Sequence, residues 1–440
     1  MRLPRAGSQL FRAGRVQRGS GRPFLCRRLM AGMATRRASQ WVVRASILAA
    51  DVPVGRVQQL RRRSSPIRVV LLAPTLAPAG GLCRWSRELV RTLEMVTTPD
   101  ELVIDVLVRS RMDYGLATVE QFGLRCSLHE LPAGGVSVAD RLRSVRRVGH
   151  LIQSLDPDVV HTPLTWLWLL ADRRFARPKI VATAHAAPSP ETVHVEDRLL
   201  ARVLAARKRI TLATSAPSLR ADLDRTIGVR PGTSISMPVA TDPIDIARTE
   251  TDPADLRGAL GIRPDESIVL TLSRLVSGKR VDLVLDVIDL ARQDGRPIRF
   301  VICGDGPEFG SLVEEAQRRE LDGWVHFLKH VPDPGRMLLE CDAALNPSDS
   351  EGGMPFALIE ALLAGTPVVA TDAGGVVDLL ADPRDGCLVP KGDAAALYEG
   401  LCATLDLPLD REERAVRAEG RFGLEQMGRA HLALIEQLVG

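Results

Sequence analysis

Short apolar runs, too continuous to be one-sided strands, recur along this chain, and each is followed by a segment of helical spacing. They fall at 67–76, 102–108, 158–161, 179–184 and 210–215, then again at 267–272, 298–303, 325–328, 343–345 and 367–371. A strand apolar on both faces must be covered on both faces, which parallel sheets achieve with crossover helices. Helical spacing is read at 84–93, 140–154 and 195–209, and later at 281–293, 307–319, 337–340, 356–364 and 394–404. The two series are separated at 238–253, where Pro238, Pro243 and Pro253 interrupt any regular element. The expected class is therefore α/β, with two tandem Rossmann-like, doubly wound parallel-sheet domains at 67–242 and 254–419. The amphipathic end, 420–440, is expected to return as a helix to the first domain. Ligands of such sheets bind outside the carboxyl ends of the strands, so the cleft between the domains is the expected site.

Charge separates a leader from this body. The chain has 440 residues and a net charge of +4, yet residues 1–66 hold 15 Arg and one acid, Asp51, so they carry +14 and the remainder −10. An acidic body argues against a nucleic-acid partner, and an aromatic content of 4 % leaves few stacking platforms. The leader has three readings: a disordered extension, an Arg-rich transit peptide, or a polybasic contact with an anionic membrane. Seven scattered Cys without a CxxC pair speak against a disulfide framework or structural zinc, and fit a cytoplasmic protein. No run of about 18 apolar residues is present to span a bilayer.

Several strand ends carry chemistry. Pro78-Ala79-Gly80-Gly81 follows the first strand, and adjacent glycines let backbone N–H groups approach an anion at a helix start, although a plain turn is as good a reading. Arg274 and Lys279, five residues apart after 267–272, suit a diphosphate; Lys279 is one of only five Lys in the chain. Gly304-Asp305-Gly306-Pro307 reads as a structural turn. The strongest signal is Ser348-Asp349-Ser350-Glu351-Gly352-Gly353-Met354-Pro355, a small-residue loop leading into a helix that carries Glu360. A carboxylate there can accept two hydrogen bonds from a vicinal diol such as ribose, beside a helix start suited to phosphate. His161 and His185 stand at strand ends; His185, in the small loop 184–188, is as much a candidate as a structural residue, and His431 has no comparable context. No set of side chains has metal-ligand spacing.

These residues resemble the retaining glycosyltransferases of family 4, with the GT-B fold. The resemblance runs from about Ile67 to the C-terminus and is strongest over 268–393. Residues 269–279 are similar to the family's "GRLVPEKG" segment, 302–308 to "GDGPE", 350–370 to the two-glutamate signature followed by "GxPVVAT", and 373–378 to "GGxxE" with Asp378 in place of Glu. Gly80 and Gly81 match the glycine loop, and 158–161 and 183–185 the strand ends "DvvH" and "tTxH". Two departures stand out. Glu351 and Glu360 are separated by eight residues rather than seven, with Gly352 as the insertion, and 237–242 replaces a "PNGvD" segment.

The resemblance implies hexosyl transfer from a UDP- or GDP-sugar with retention, needing neither metal nor cofactor. Arg274 and Lys279 would grip the diphosphate, Glu360 the ribose, and Glu351 a donor-sugar hydroxyl. His185 would serve the acceptor side or the sugar. Gly80, Gly81, Gly353, Met354 and Pro355 would line the donor site, with Val331 in the loop bordering the base. The acceptor would be a glycan, a lipid-linked sugar or a small molecule, and the place of action the cytoplasm or the cytoplasmic membrane face. A sugar-nucleotide epimerase on the same fold and a non-catalytic nucleotide-sugar-binding relative remain as alternatives.

Overall fold

The computed structural model describes residues 65–440 except 77–79, 109–118, 121, 132–137, 172–176, 242–255, 330, 332–333 and 409. The Arg-rich leader, Pro78 and Ala79 of the glycine turn, and most of the proline-rich break lie outside the described residues.

Two parallel sheets are present. The first holds β1 (Ile67–Ala73), β2 (Leu102–Val108), β3 (Ser127–Glu130), β4 (Val159–Pro163), β5 (Lys179–Ala184), β6 (Ile210–Thr214) and β7 (Ile235–Ser236), in the order β3-β2-β1-β4-β5-β6-β7. The second holds β8 (Ser267–Leu272), β9 (Ile298–Cys303), β10 (Val325–Leu328), β11 (Ala343–Asn346), β12 (Val368–Thr371) and β13 (Gly386–Val389), in the order β10-β9-β8-β11-β12-β13. The connecting helices of the first half are α1 (Gly81–Val96), α2 (Val138–Leu155), α3 (Val195–Ala206) and α4 (Arg220–Ile227). The second half adds α5 (Leu256–Leu260), α6 (Asp282–Gln293), α7 (Phe309–Arg318), α8 (Gly335–Glu340), α9 (Phe356–Leu363), α10 (Val376–Leu379) and α11 (Ala394–Leu405). The chain ends with α12 (Arg411–Phe422) and α13 (Leu424–Val439).

The continuous apolar runs have the burial they require. In β1, Val69, Leu71 and Ala73 pack in one cluster with Leu89 and Leu93 of α1. Val70 and Leu72 pack in another with Val148 and Ile152 of α2 and Ala201 of α3. In β8, Ile268 and Leu270 face one core, while Val269 faces the core filled by α6. This two-sided burial is what commits each run to a central parallel strand.

The chain crosses between the sheets at 237–241 and again at 422–424, where the Thr241 N–H donates to the Phe422 carbonyl at 3.4 Å. The end of the chain is two helices rather than one: Gly423, in extended conformation (φ −69°, ψ 149°), separates α12 from α13. The last helix, α13, packs on α1, and a Cβ at Gly428 would stand 2.4 Å from the Thr92 carbonyl oxygen. No helix among the described residues is long and apolar enough to cross a membrane.

Candidate active site

Past the end of β8, the loop 273–281 holds Arg274 and Lys279. Arg274 is exposed, and its side chain has no hydrogen-bond or ion-pair partner among the described residues. Lys279 ends a single 3-10 turn, Ser277–Lys279. The Gly304-Asp305-Gly306 turn braces this loop from behind. Leu275 N–H donates to the Asp305 carbonyl at 2.9 Å, and Glu308 N–H to the Leu275 carbonyl at 3.1 Å. Gly304 (φ +151°) and Gly306 (φ +157°) are required there, since a Cβ would lie 1.8 Å from the Ser273 oxygen and 2.3 Å from the Leu275 oxygen.

Glu351, 7 % exposed, follows β11. Its Oε1 accepts from Lys279 Nζ at 2.5 Å, Ser348 Oγ at 2.8 Å and Asn346 Nδ2 at 3.2 Å. A buried carboxylate so held is fixed in direction. The inserted Gly352 lies against the first domain: a Cβ would stand 2.5 Å from the His185 carbonyl oxygen. At Gly353 the near neighbour is Ser215 Oγ, 2.1 Å from such a Cβ. Met354 and Val331 pack, half-buried, on the core. Pro355 is the N-cap of α9, and its carbonyl accepts from Leu358 and Ile359 N–H.

Glu360, 5 % exposed on α9, forms an ion pair with Arg84 of α1. Arg84 lies one turn past the glycine pair. Gly80, at φ +93°, is the N-cap of α1 and leaves its carbonyl to Arg84 N–H at 3.0 Å. A Cβ at Gly81 would touch Phe356 Cδ2 at 4.0 Å, so the glycine loop faces the start of α9. Arg84 also donates from Nη2 to Thr241 Oγ1 at 2.7 Å and lies over the Phe356 ring, 5.2 Å from its centroid.

The His185 ring, half-buried, packs against Trp85. Its ring centroid is 4.3 Å from that of Trp85, and Trp85 also has His161 at 5.1 Å and His431 at 6.2 Å. His161 Nε2 and Thr183 Oγ1 form a hydrogen-bonded pair at 2.8 Å. Burial, then the neighbouring His431, holds His185 down to about 3; burial, opposed by a hydrogen bond to the Pro238 backbone, holds His431 at about 4. Burial and the other two imidazoles hold His161 well below its ordinary value. All three rings are neutral near pH 7. Nε2 of His185 and of His431 are buried without a hydrogen-bond partner.

Sequence reasoning missed Arg84, Trp85, His431 and Ser215. Arg84 alone had a sequence signal, as the first charge after Gly80-Gly81. Asp378, standing where the resembling family has Glu, accepts from Ser218 N–H at 2.9 Å, a further bond between the two halves. Among the described residues no three His, Cys, Asp or Glu side chains converge as a metal-binding group.

Residues 253–421 match the family model "Glycosyl transferases group 1". The chain is 33 % identical to D-inositol 3-phosphate glycosyltransferase 2 of Catenulispora acidiphila over 189 residues, covering 39 % of this chain and 44 % of that one. That match spans less than half the relative's length. It is 26 % identical to D-inositol 3-phosphate glycosyltransferase of Kribbella flavida over 429 residues, covering 88 % of this chain and 96 % of the other. Among solved structures, Anabaena HepE in complex with UDP superposes with a TM-score of 0.68 at 20 % identity, covering 84 % of this chain and all of HepE. The fold is GT-B, two parallel-sheet α/β domains, and the sequence matches support a place in the glycosyltransferase superfamily.

Proposed function

We propose that the chain is a family 4 glycosyltransferase that moves a hexosyl unit from a UDP- or GDP-sugar to an acceptor hydroxyl with retention, in the biosynthesis of a glycan, glycolipid or polysaccharide in the cytoplasm. The observation that carries this reading is the junction at Glu351. Lys279 and the two-glutamate loop meet there, and the adjacent Gly352 touches His185 from the opposite domain. The UDP in the HepE structure supports a uridine donor.

In this reading Arg274 and Lys279 stabilise the departing diphosphate, the largest charge to develop in the reaction. The bond from C1 to the β-phosphate oxygen breaks, the acceptor oxygen bonds C1 on the same face, and the acceptor proton passes to the leaving phosphate. Glu360 accepts the ribose hydroxyls and Glu351 orients a donor-sugar hydroxyl. Backbone N–H groups at Gly80, Gly81 and Gly353, with Met354 and Pro355, line the donor, and Val331 borders the base. His185, neutral, offers a hydrogen bond to the sugar or acceptor rather than a proton. Domain boundaries at 67–242 and 254–419, with 420–440 closing on the first domain, belong to the same reading.

Calorimetry with UDP and GDP, then transfer assays with product anomers read by NMR, test the proposal. Arg274→Ala is expected to lower kcat/KM by roughly 100-fold; intact activity sinks the assignment, and an inverted product sinks retention. A nucleotide-sugar-binding relative without turnover is the second reading, favoured by the extra Gly352 and by the ion pair already made by Glu360. Binding with no transfer to any acceptor would decide for it.

Peripheral contact with an anionic membrane completes the reading. Its support is not confined to the Arg-rich leader. Val195, Leu199 and Val203 recur every four residues along α3 and are 54 %, 60 % and 47 % exposed. Leu142 on α2 is 56 % exposed, and Arg141, Arg143, Arg146 and Arg147 line that helix's outer side. An Arg141–Glu196 ion pair at 3.3 Å joins the two helices. Apolar side chains bordered by arginines fit a headgroup layer.

A further inference from the structure

Arg84 belongs to neither glutamate motif nor cation loop, yet it holds the carboxylate to which the donor reading gives the ribose. We propose that Arg84 is a positioning residue for Glu360 and sets how strongly the site prefers ribose to a sugar lacking the 2′- and 3′-hydroxyls. The proposal rests on the donor reading above.

Glu360 is 5 % exposed in the second domain, and its counter-charge comes from the first. A buried carboxylate without a counter-charge binds a proton more readily or swings towards water, and either change makes it a poorer acceptor for a diol. Arg84 holds the carboxylate in one direction because its own side chain is fixed at three points. Nη1 pairs with Glu360, Nη2 donates to Thr241 where the chain crosses between sheets, and the guanidinium lies over Phe356. Phe356 and Glu360 are four residues apart on α9, so ring and carboxylate present one face to the guanidinium. Three contacts offset the rotamer entropy that a single surface ion pair fails to recover.

A guanidinium on Oε1 fixes the direction of the carboxylate, so the ribose hydroxyls meet an acceptor already aimed. Since Arg84 reaches Glu360 from α1, that aim exists only with the two halves together. Ribose recognition is thus tied to closure of the cleft through one side chain.

A plain interdomain clasp would weaken every nucleotide alike when removed, whereas a positioning residue would change the preference between nucleotides. The full chain is titrated by calorimetry with UDP and with 2′,3′-dideoxy-UDP, and with the guanosine pair, each variant being checked by thermal melting. Wild type is expected to prefer the ribose form by roughly 10- to 100-fold, as two charge-assisted hydrogen bonds imply. Arg84→Met is expected to reduce the preference to within about threefold, as Glu360→Gln does, and Arg84→Lys to restore part of it. Phe356→Leu, which keeps both charges and removes the ring, serves as a second probe should Arg84→Met not fold; a several-fold fall in preference is expected. Equal weakening of both forms by Arg84→Met or by Phe356→Leu, with the preference intact, overturns the proposal and leaves a clasp. Wild type binding ribose and dideoxyribose forms equally overturns it as well. Wild type binding neither UDP nor GDP overturns the donor reading itself.

Discussion

Lys279 and Glu351, 72 positions apart in sequence, are joined Nζ to Oε1 at 2.5 Å, with side chains only 20 % and 8 % exposed. The cation assigned to the diphosphate therefore already neutralises the carboxylate assigned to the donor sugar. Stability and donor binding can be separated at this pair. Lys279→Ala leaves a buried charge and is expected to cost roughly 3 kcal/mol in urea unfolding. Adding Glu351→Gln is expected to recover more than half of that stability while affinity for UDP or GDP stays low. Donor affinity that returns with the second substitution would confine Lys279 to neutralising Glu351.

The extra residue in the two-glutamate loop makes a second prediction. At Gly352 an added Cβ meets backbone, the His185 carbonyl oxygen at 2.5 Å and Ala186 Cα at 2.6 Å; at Gly353 it meets a side-chain tip, Ser215 Oγ at 2.1 Å. A tip can turn aside and backbone cannot. Gly352→Ala is therefore expected to cost roughly 1–3 kcal/mol and to raise the donor KM by parting the halves. Gly353→Ala is expected to cost less, and Ser215→Ala to relieve it. Thermal melts and donor KM values of the three variants check the order, and a harmless Gly352→Ala would show that the loop moves freely.

The strands were legible because each apolar run is both short and continuous. Leu102–Val108, Lys179–Ala184, Ser267–Leu272, Ile298–Cys303 and Val325–Leu328 begin and end where the pattern does. Elements without that pattern were missed. β3 is half-exposed at the sheet edge, β13 is four residues long, and α12 buries only Arg414, Ala418 and Phe422 from an otherwise polar face. The candidate site was legible as a set of strand ends, but its pairings were not. Whether Glu360 faces solvent or Arg84, and whether His431 joins His161 and His185, depends on how α1 and α13 pack. No local spacing encodes that packing.

Membrane contact gives a prediction independent of the cleft. The full chain is expected to float with vesicles of mixed phosphatidylcholine and phosphatidylglycerol, not with phosphatidylcholine alone, and to be released by salt. Leu199→Gln with Val203→Gln is expected to weaken binding roughly 5- to 10-fold and to leave thermal melting unchanged, both residues being exposed. Arg146→Glu with Arg147→Glu is expected to weaken it at least as much. Unaltered flotation in both variants would assign membrane contact to the leader, and salt-sensitive binding indifferent to Leu199 and Val203 would indicate a purely ionic partner.

The imidazoles around Trp85 predict how stability depends on pH. His161, His185 and His431 are neutral in the folded protein because burial holds them far below 6.5, at about 3 for His185 and about 4 for His431. In the unfolded chain each takes a proton near pH 6.5. Below that pH the unfolded state binds protons that the folded state refuses, so stability is complete above 6.5 and is lost as pH falls through the window towards 4. The slope approaches about 1.4 kcal/mol per pH unit for each residue well below pH 6.5, and the three together lose roughly 4 kcal/mol between about pH 7.5 and 5.5. Since His431 lies on α13, His161 within β4 and His185 just past β5, acidification is expected to loosen the last helix first. Urea unfolding at about pH 7.5 and 5.5 measures the loss, and His431→Leu is expected to remove about a third of it. An unchanged slope in His431→Leu would mean that other groups govern acid unfolding.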